Sequence, residues 1–117
     1  MLRVEPICIK IPSDFVIAID EMTDINGTPV DIAGTYIGFK FYCNGQSYDC
    51  ISDPSGVESL NTVIDNGVLY LIFEDYPFDK SGVLSYIQHD RVADSKFPSG
   101  YNDVYSKLTQ CNIRLER

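Results

Sequence analysis

His89 is the sole histidine of this sequence, and that sets a limit on the chemistry available to the chain. A nucleophilic triad would need it as the base, yet no Gly-x-Ser-x-Gly elbow presents a serine. His89 sits before Asp90 in a strand-like run and reads as a structural residue. The other soft donors are Cys8, Cys43, Cys50 and Cys111. No two of them have the close spacing of a zinc knuckle or a redox pair, so no metal centre is expected. Asp20, Glu21, Asp24, Asn26 and Gly27 supply part of a calcium loop but lack its ligand spacing and its terminal bidentate glutamate. Gly34 and Gly38 are too few, and too strand-like in context, to cradle a phosphate. Glu74 and Asp75 are carboxylates of the type glycoside hydrolysis uses, but acids are common enough here to be surface solvation. The expectation is no catalytic residue, no cofactor and no metal: a protein that is not an enzyme.

The cysteines read better as small buried hydrophobes, because most of them lie inside apolar, strand-like runs. A bridge from Cys43 to Cys50 would need a loop centred near Gln46-Ser47. The Asn44-Gly45 pair instead predicts a hairpin register that sets Cys43 opposite Gln46. The start of the chain, Met1-Leu2-Arg3-Val4-Glu5-Pro6, has no signal-peptide pattern, so the expected compartment is cytoplasmic and the expected thiols are reduced.

These residues need a scaffold, and 117 residues fit one domain spanning the chain. Hydrophobic residues make up 44% and charged residues 22%, which are globular rather than disordered values. A net charge of −8 repels phosphate backbones and anionic membranes, so neither nucleic acid nor membrane is an expected partner. No apolar run approaches the roughly 18 residues of a spanning helix.

The periodicity is close to two along most of the chain. Ile7, Ile9 and Ile11 alternate with Cys8 and Lys10 as a half-buried strand, and Phe15 to Ile19 is a continuous apolar run expected to be buried more deeply. Tyr36 to Tyr42 is the clearest strand. Ile37, Phe39, Phe41 and Cys43 should face the core, and Tyr36, Gly38, Lys40 and Tyr42 the other side. Ser47 to Ile51 is the expected return strand. Val57 to Ile64 fits either a strand or a short helix. Asp65-Asn66-Gly67 is a second hairpin signal, followed by Val68 to Phe73, a strand apolar enough for burial on both faces. Glu74 to Ser81 reads as a connection with room for one helical turn. Gly82 to Asp90 alternates again, Phe97-Pro98-Ser99-Gly100 is a turn, and Cys111 to Leu115 closes the chain. Seven or eight short strands with Gly, Pro and Asn punctuation predict an all-β sandwich or small barrel.

Eight tyrosines remain to be explained. Tyr favours strands and fills cores, and it is also enriched at protein interfaces. Tyr101 and Tyr105, in what reads as a polar loop, are assigned to an interface together with Phe97 and with Asp20, Asp24 and Asn26 of the acidic turn.

Two stretches carry a resemblance. The first runs from Phe15-Val16-Ile17-Ala18-Ile19 through Asn26-Gly27 to Pro29-Val30-Asp31-Ile32-Ala33-Gly34-Thr35 and the aromatic strand that follows. The second runs from Gly82-Val83-Leu84-Ser85-Tyr86 through Phe97-Pro98-Ser99-Gly100-Tyr101-Asn102-Asp103-Val104 to Asn112-Ile113-Arg114-Leu115. Together they resemble the immunoglobulin-like β-sandwich domains of tailed-bacteriophage virions, such as baseplate upper proteins and head-fibre-associated proteins of phages of gut bacteria. Ser99 stands where that pattern has an acid. The resemblance implies an immunoglobulin-like antiparallel sandwich and a non-enzymatic virion component assembled in the host cytoplasm. It would be a homo-oligomer bound to another virion protein of the capsid, collar, fibre or tail. It carries no catalytic residues. A carbohydrate- or receptor-binding module is the alternative, because aromatic-rich loops on a β-sandwich suit sugar stacking.

Overall fold

A computed structural model describes residues 6–117. Met1 to Glu5, on which the reading of the N-terminus rests, lie outside the described residues. Those described form nine strands and no helix. They are β1 (Ile7–Lys10), β2 (Phe15–Ile19), β3 (Ile37–Cys43), β4 (Gln46–Ser52), β5 (Thr62–Asp65), β6 (Val68–Phe73), β7 (Gly82–Ala93), β8 (Tyr101–Tyr105) and β9 (Thr109–Glu116). A six-stranded sheet has the order β1-β9-β7-β3-β4, with β8 also on β7, and faces a three-stranded sheet ordered β2-β6-β5. All pairs are antiparallel except β1 with β9. A bridge between Ile51 and Leu60 carries the chain from β4 toward β5 and curls the structure on that side.

The two Asn-Gly pairs set the hairpin registers. Asn44 and Gly45 have φ of 47° and 80°, and Asn66 and Gly67 have 50° and 78°. Two successive positive φ values match the right-handed twist of the flanking strands, and Asn-Gly adopts them at least cost. Cys43 is therefore opposite Gln46, and Asp65 opposite Val68.

Alternation then decides the faces. Ile37, Phe39, Phe41 and Cys43 of β3 are buried against Ile17 and Ile19 of β2, Leu69, Leu71 and Phe73 of β6, and Leu84 and Tyr86 of β7. The aromatic centre is tight, with Phe41 edge-on to Phe73 at 5.0 Å and Phe39 edge-on to Tyr86 at 5.6 Å. Tyr48 ties the sheets together. Its ring stacks on Phe73, and its hydroxyl donates to the Ile72 carbonyl at 2.9 Å and accepts from the Glu74 amide at 3.2 Å. Every fully buried side-chain nitrogen or oxygen among the described residues has a hydrogen-bond partner.

Several expectations need correction. Tyr101 to Tyr105 is a strand, not a loop, because β7 runs on to Ala93 and offers it an edge. That edge is free because β9 starts only at Thr109, opposite Tyr86, and pairs with Gly82 to Tyr86 across a bulge between Leu84 and Ser85 where Asn112 has φ 59°. Glu74 to Ser81 contains no helical turn. Residues 57–61 are an exposed connection, and only Thr62–Asp65 is strand. β2 is buried more deeply than β1, as its apolar run predicts, through Ile17 and Ile19, while Val16 and Ala18 on its other face are exposed. On β6 the Leu69-Leu71-Phe73 face is buried, while Val68, Tyr70 and Ile72 are only half-buried. In the first strand, Ile9 is half-buried and Ile7 exposed, and Ile11 is buried just beyond it.

Cys43, Cys50 and Cys111 are buried free thiols and Cys8 is exposed. Burial pushes the Cys50 thiol up to about 12 and the Cys111 thiol up to about 11. The Cys8 thiol is raised by its hydrogen bond to Glu116 but stays open to solvent. In native buffer one thiol per chain should therefore react quickly with an aromatic disulfide reagent. The other three should react only as the chain unfolds, and fast reaction of two or more would contradict this core. Phe41→Ala should cost about 3–5 kcal/mol in urea unfolding, and Phe39→Ala a similar amount. Losses below about 1 kcal/mol at both sites would mean the wrong face of β3 has been placed inside.

Candidate functional site

Three connections meet at one end of the large sheet. Ile37, where β3 begins, is in register with Ser52, where β4 ends, and with Asp90 near the end of β7. The β2–β3 connection, the β4–β5 connection and the β7–β8 turn therefore leave from the same end. The six residues assigned to an interface are carried by the first and third of these segments and by β8. Asp20, Asp24 and Asn26 lie on the β2–β3 connection, Phe97 on the turn, and Tyr101 and Tyr105 on β8.

Arg91 binds this end together, and sequence reasoning did not single it out. Alternation puts it on the outer face of β7, in register with Asp103. Its guanidinium lies between two rings, 4.0 Å from the centroid of Tyr36 and 4.2 Å from that of Tyr101. Its edge donates to Asp103 Oδ1 at 3.1 Å and to Glu58 Oε2. A flat, permanently charged fork both stacks and bridges, which an ammonium cannot do. Glu58 is delivered by a turn wound on Asp53, whose carboxylate accepts from the amides of Ser55 and Glu58 and from the Ser55 hydroxyl. One cation thereby joins the start of β3, the β4–β5 connection, β7 and β8.

The acidic turn is ordered by its own side chains. Asp24 Oδ1 accepts from the amides of Asn26 and Thr28, both at 2.9 Å. The turn is tied to β7 where Asp90 accepts from the Ile25 amide at 2.7 Å and Gln88 donates to the Thr23 carbonyl at 3.0 Å. Asp24 thus shapes the turn from within, whereas Asp20 and Asn26 are exposed. Phe97 is also exposed.

His89 lies in a short polar string. Its Nε2 is 2.6 Å from Asp103 Oδ1, and a carboxylate only accepts, so Nε2 carries the proton. Nδ1 then accepts from the Tyr36 hydroxyl, at 3.4 Å. The connectivity is acid, histidine, hydroxyl. Burial raises the Tyr36 hydroxyl above its ordinary value, with Arg91 opposing only in part. Asp103 is shared with Arg91, and the His89 ring stacks on Tyr105 at 4.5 Å. The string braces β8 against β3 and β7.

Next to it the outer face has a hollow of about 300 Å³. Gly38 is its floor, since a Cβ there would lie 3.2 Å from His89 Cβ and 3.4 Å from the Tyr36 ring. Tyr42, Ile87 and Tyr105 give it apolar walls, and Lys40 and Asp49 stand in register as exposed polar groups. Comparison with family models, with curated proteins and with solved structures finds no match to this chain.

Burial pushes the Asp103 carboxyl up, but hydrogen bonds from His89 and Arg91 outweigh it and hold the group below its ordinary value. Asp53 is likewise lowered, chiefly by the Glu58 amide and then by the Ser55 hydroxyl. A carboxyl with a lower pKa folded than unfolded stabilises the protein above its unfolded value of about 3.9, and that stabilisation is lost as pH falls through the folded value. The urea midpoint should therefore be flat from about pH 7 to 5 and fall below about pH 4, with a shallower fall in Asp103→Asn. Arg91→Lys should cost about 1–2 kcal/mol at neutral pH. A midpoint equal to that of the unsubstituted protein would remove Arg91 from its place as the clamp.

Proposed function

We propose that this chain is a non-enzymatic docking domain of a tailed-bacteriophage particle, attached to another virion protein through the end that carries the three connections. The observation that carries the docking reading is the Arg91 clamp. It ties the β4–β5 connection, through Glu58, to Tyr36 before β3 and to Tyr101 and Asp103 of β8, and such fixed contacts lower the ordering cost that binding would otherwise meet. The phage setting rests on the sequence resemblance. An immunoglobulin-like topology is part of the same proposal. The orders β1-β9-β7-β3-β4 and β2-β6-β5 support it, corresponding to strands A′-G-F-C-C′ facing B-E-D, with β8 an addition to the F–G connection. In that fold the loops clustered at an end of the sandwich are common recognition elements.

A second reading, a carbohydrate-binding module, is favoured by the hollow over Gly38. It offers an aromatic wall in Tyr105 and Tyr42 and hydrogen-bonding groups in Lys40 and Asp49.

The test pairs light scattering with binding. Co-expression with the products of neighbouring genes should give a stable complex with a capsid, collar, fibre or tail protein. Phe97→Asp or Asp20→Lys should abolish the complex while leaving the melting temperature within a few degrees. A strictly monomeric protein that captures none of these products and binds glycans on an array would replace the docking reading with the carbohydrate one.

A further inference from the structure

The small sheet has an outer face unlike that of the large one. On the large sheet the outward side chains include Lys40, Asp49, Arg91, Asp103 and Arg114, with charges of both signs. Across the small sheet the outward rows are Val16 beside Ile72, then Ala18 beside Tyr70 beside Val63, then Val68 beside Asp65. Val16 is 52% exposed and Val63 54%. A solvated sheet face normally alternates with polar residues, yet the first two rows contain no charge. Residues bounding the strands are acids: Asp14 and Asp20 on either side of β2, Asp65 at the end of β5, and Glu74 and Asp75 after β6. An apolar centre with a polar rim is the anatomy of a protein interface.

We infer that this face is a docking surface for a basic amphipathic helix of a partner protein, its apolar stripe on Val16, Ala18, Val63, Tyr70 and Ile72 and its Lys or Arg flanks on the acidic rim. Two arguments select that occupant. The first is charge: a second copy would bring the same five acids against these, whereas a basic rim complements them. The second is size. Two strand spacings of about 4.8 Å separate the outer strands, and the apolar rows extend only some residues along them. That is the width of one helix, about 10–12 Å across. At about 4.8 Å between strands and about 6.8 Å between successive same-face residues, the five side chains cover roughly 160 Å², far short of the roughly 800 Å² per partner of a standard stable interface between domains. The inference does not rest on the phage setting, and of the acidic rim only Asp20 also belongs to the loop-bearing end.

The experiment uses the full chain and two synthetic helical peptides, one Leu/Lys and one Leu/Glu, with matched apolar stripes. Amide chemical shifts are followed on titration. The Leu/Lys peptide should move the resonances of Val16, Ala18, Val63, Tyr70 and Ile72, with an affinity that falls as salt rises. Val63→Lys should weaken it at least about tenfold, which is 1.4 kcal/mol or more. Ala18→Lys, also on the exposed face, provides a second variant should Val63→Lys not fold. Asp65→Lys with Glu74→Lys should weaken binding too. The inference is overturned by shifts centred on the loop-bearing end, by equal binding of the Leu/Glu peptide, or by no binding. A dimer in light scattering that Val63→Lys dissociates would give the face to a second copy and overturn it as well.

Discussion

The pairing of β3 with β7 is the constraint on which the rest depends. Side chains in a strand alternate between faces, so one register decides two surfaces together. With Phe41 opposite Tyr86 and Phe39 opposite Gln88, the aromatic core closes on one side. The same register sets Gly38 opposite His89 on the other side and carries Arg91 outward beyond it. A slip of β3 by one residue would turn Lys40 toward the core and its phenylalanines toward water, and a slip of β7 would turn His89 and Arg91 inward and Leu84 and Tyr86 outward. Burying such charges without partners costs several kcal/mol each, so the hydrophobic core itself enforces the geometry of the polar cluster.

β7 serves two purposes along one inward-facing row. Leu84 and Tyr86 fill the core, and Gln88 and Asp90 continue the row past it. There the second sheet no longer covers β7, and the β2–β3 connection does so instead. Its backbone must find hydrogen-bond partners, and Gln88 and Asp90 supply them at Thr23 and Ile25. The change from apolar to polar inward residues marks where the packed sandwich ends and the loop-bearing end begins.

Much of the fold was legible in the sequence because its signals are local. Asn44-Gly45 and Asn66-Gly67 specify their own backbone conformation, and the alternation of Ile37 to Cys43 specifies its own face. β8 was not legible. Tyr-Asn-Asp-Val-Tyr has no apolar face, and it is a strand only because β7 runs on to Ala93, beyond the residues that β9 pairs, and leaves an edge there. Arg91 was missed for the same reason. Its significance lies in Tyr36, Glu58 and Tyr101, which are distant in sequence or on another strand, and only the assembled registers bring them to it. Val68 to Phe73 was legible in part. The continuous apolar run predicts burial on both faces, but among the described residues no second layer lies over one of them.

That uncovered face bears on how such a domain connects partners. The acidic flanks of β2, β5 and β6 oppose edge-to-edge pairing of like chains, which is how exposed sheet edges are commonly kept from aggregating. They leave the apolar centre open to a partner of opposite charge. The Arg91 cluster lies on the outer side of the other sheet, and stacked sheets are separated by about 10 Å of packed core. An occupant on one surface therefore does not obstruct the other. A domain with two such sites holds two partners at a fixed separation, which is the mechanical requirement of an adaptor and needs no chemistry at either site.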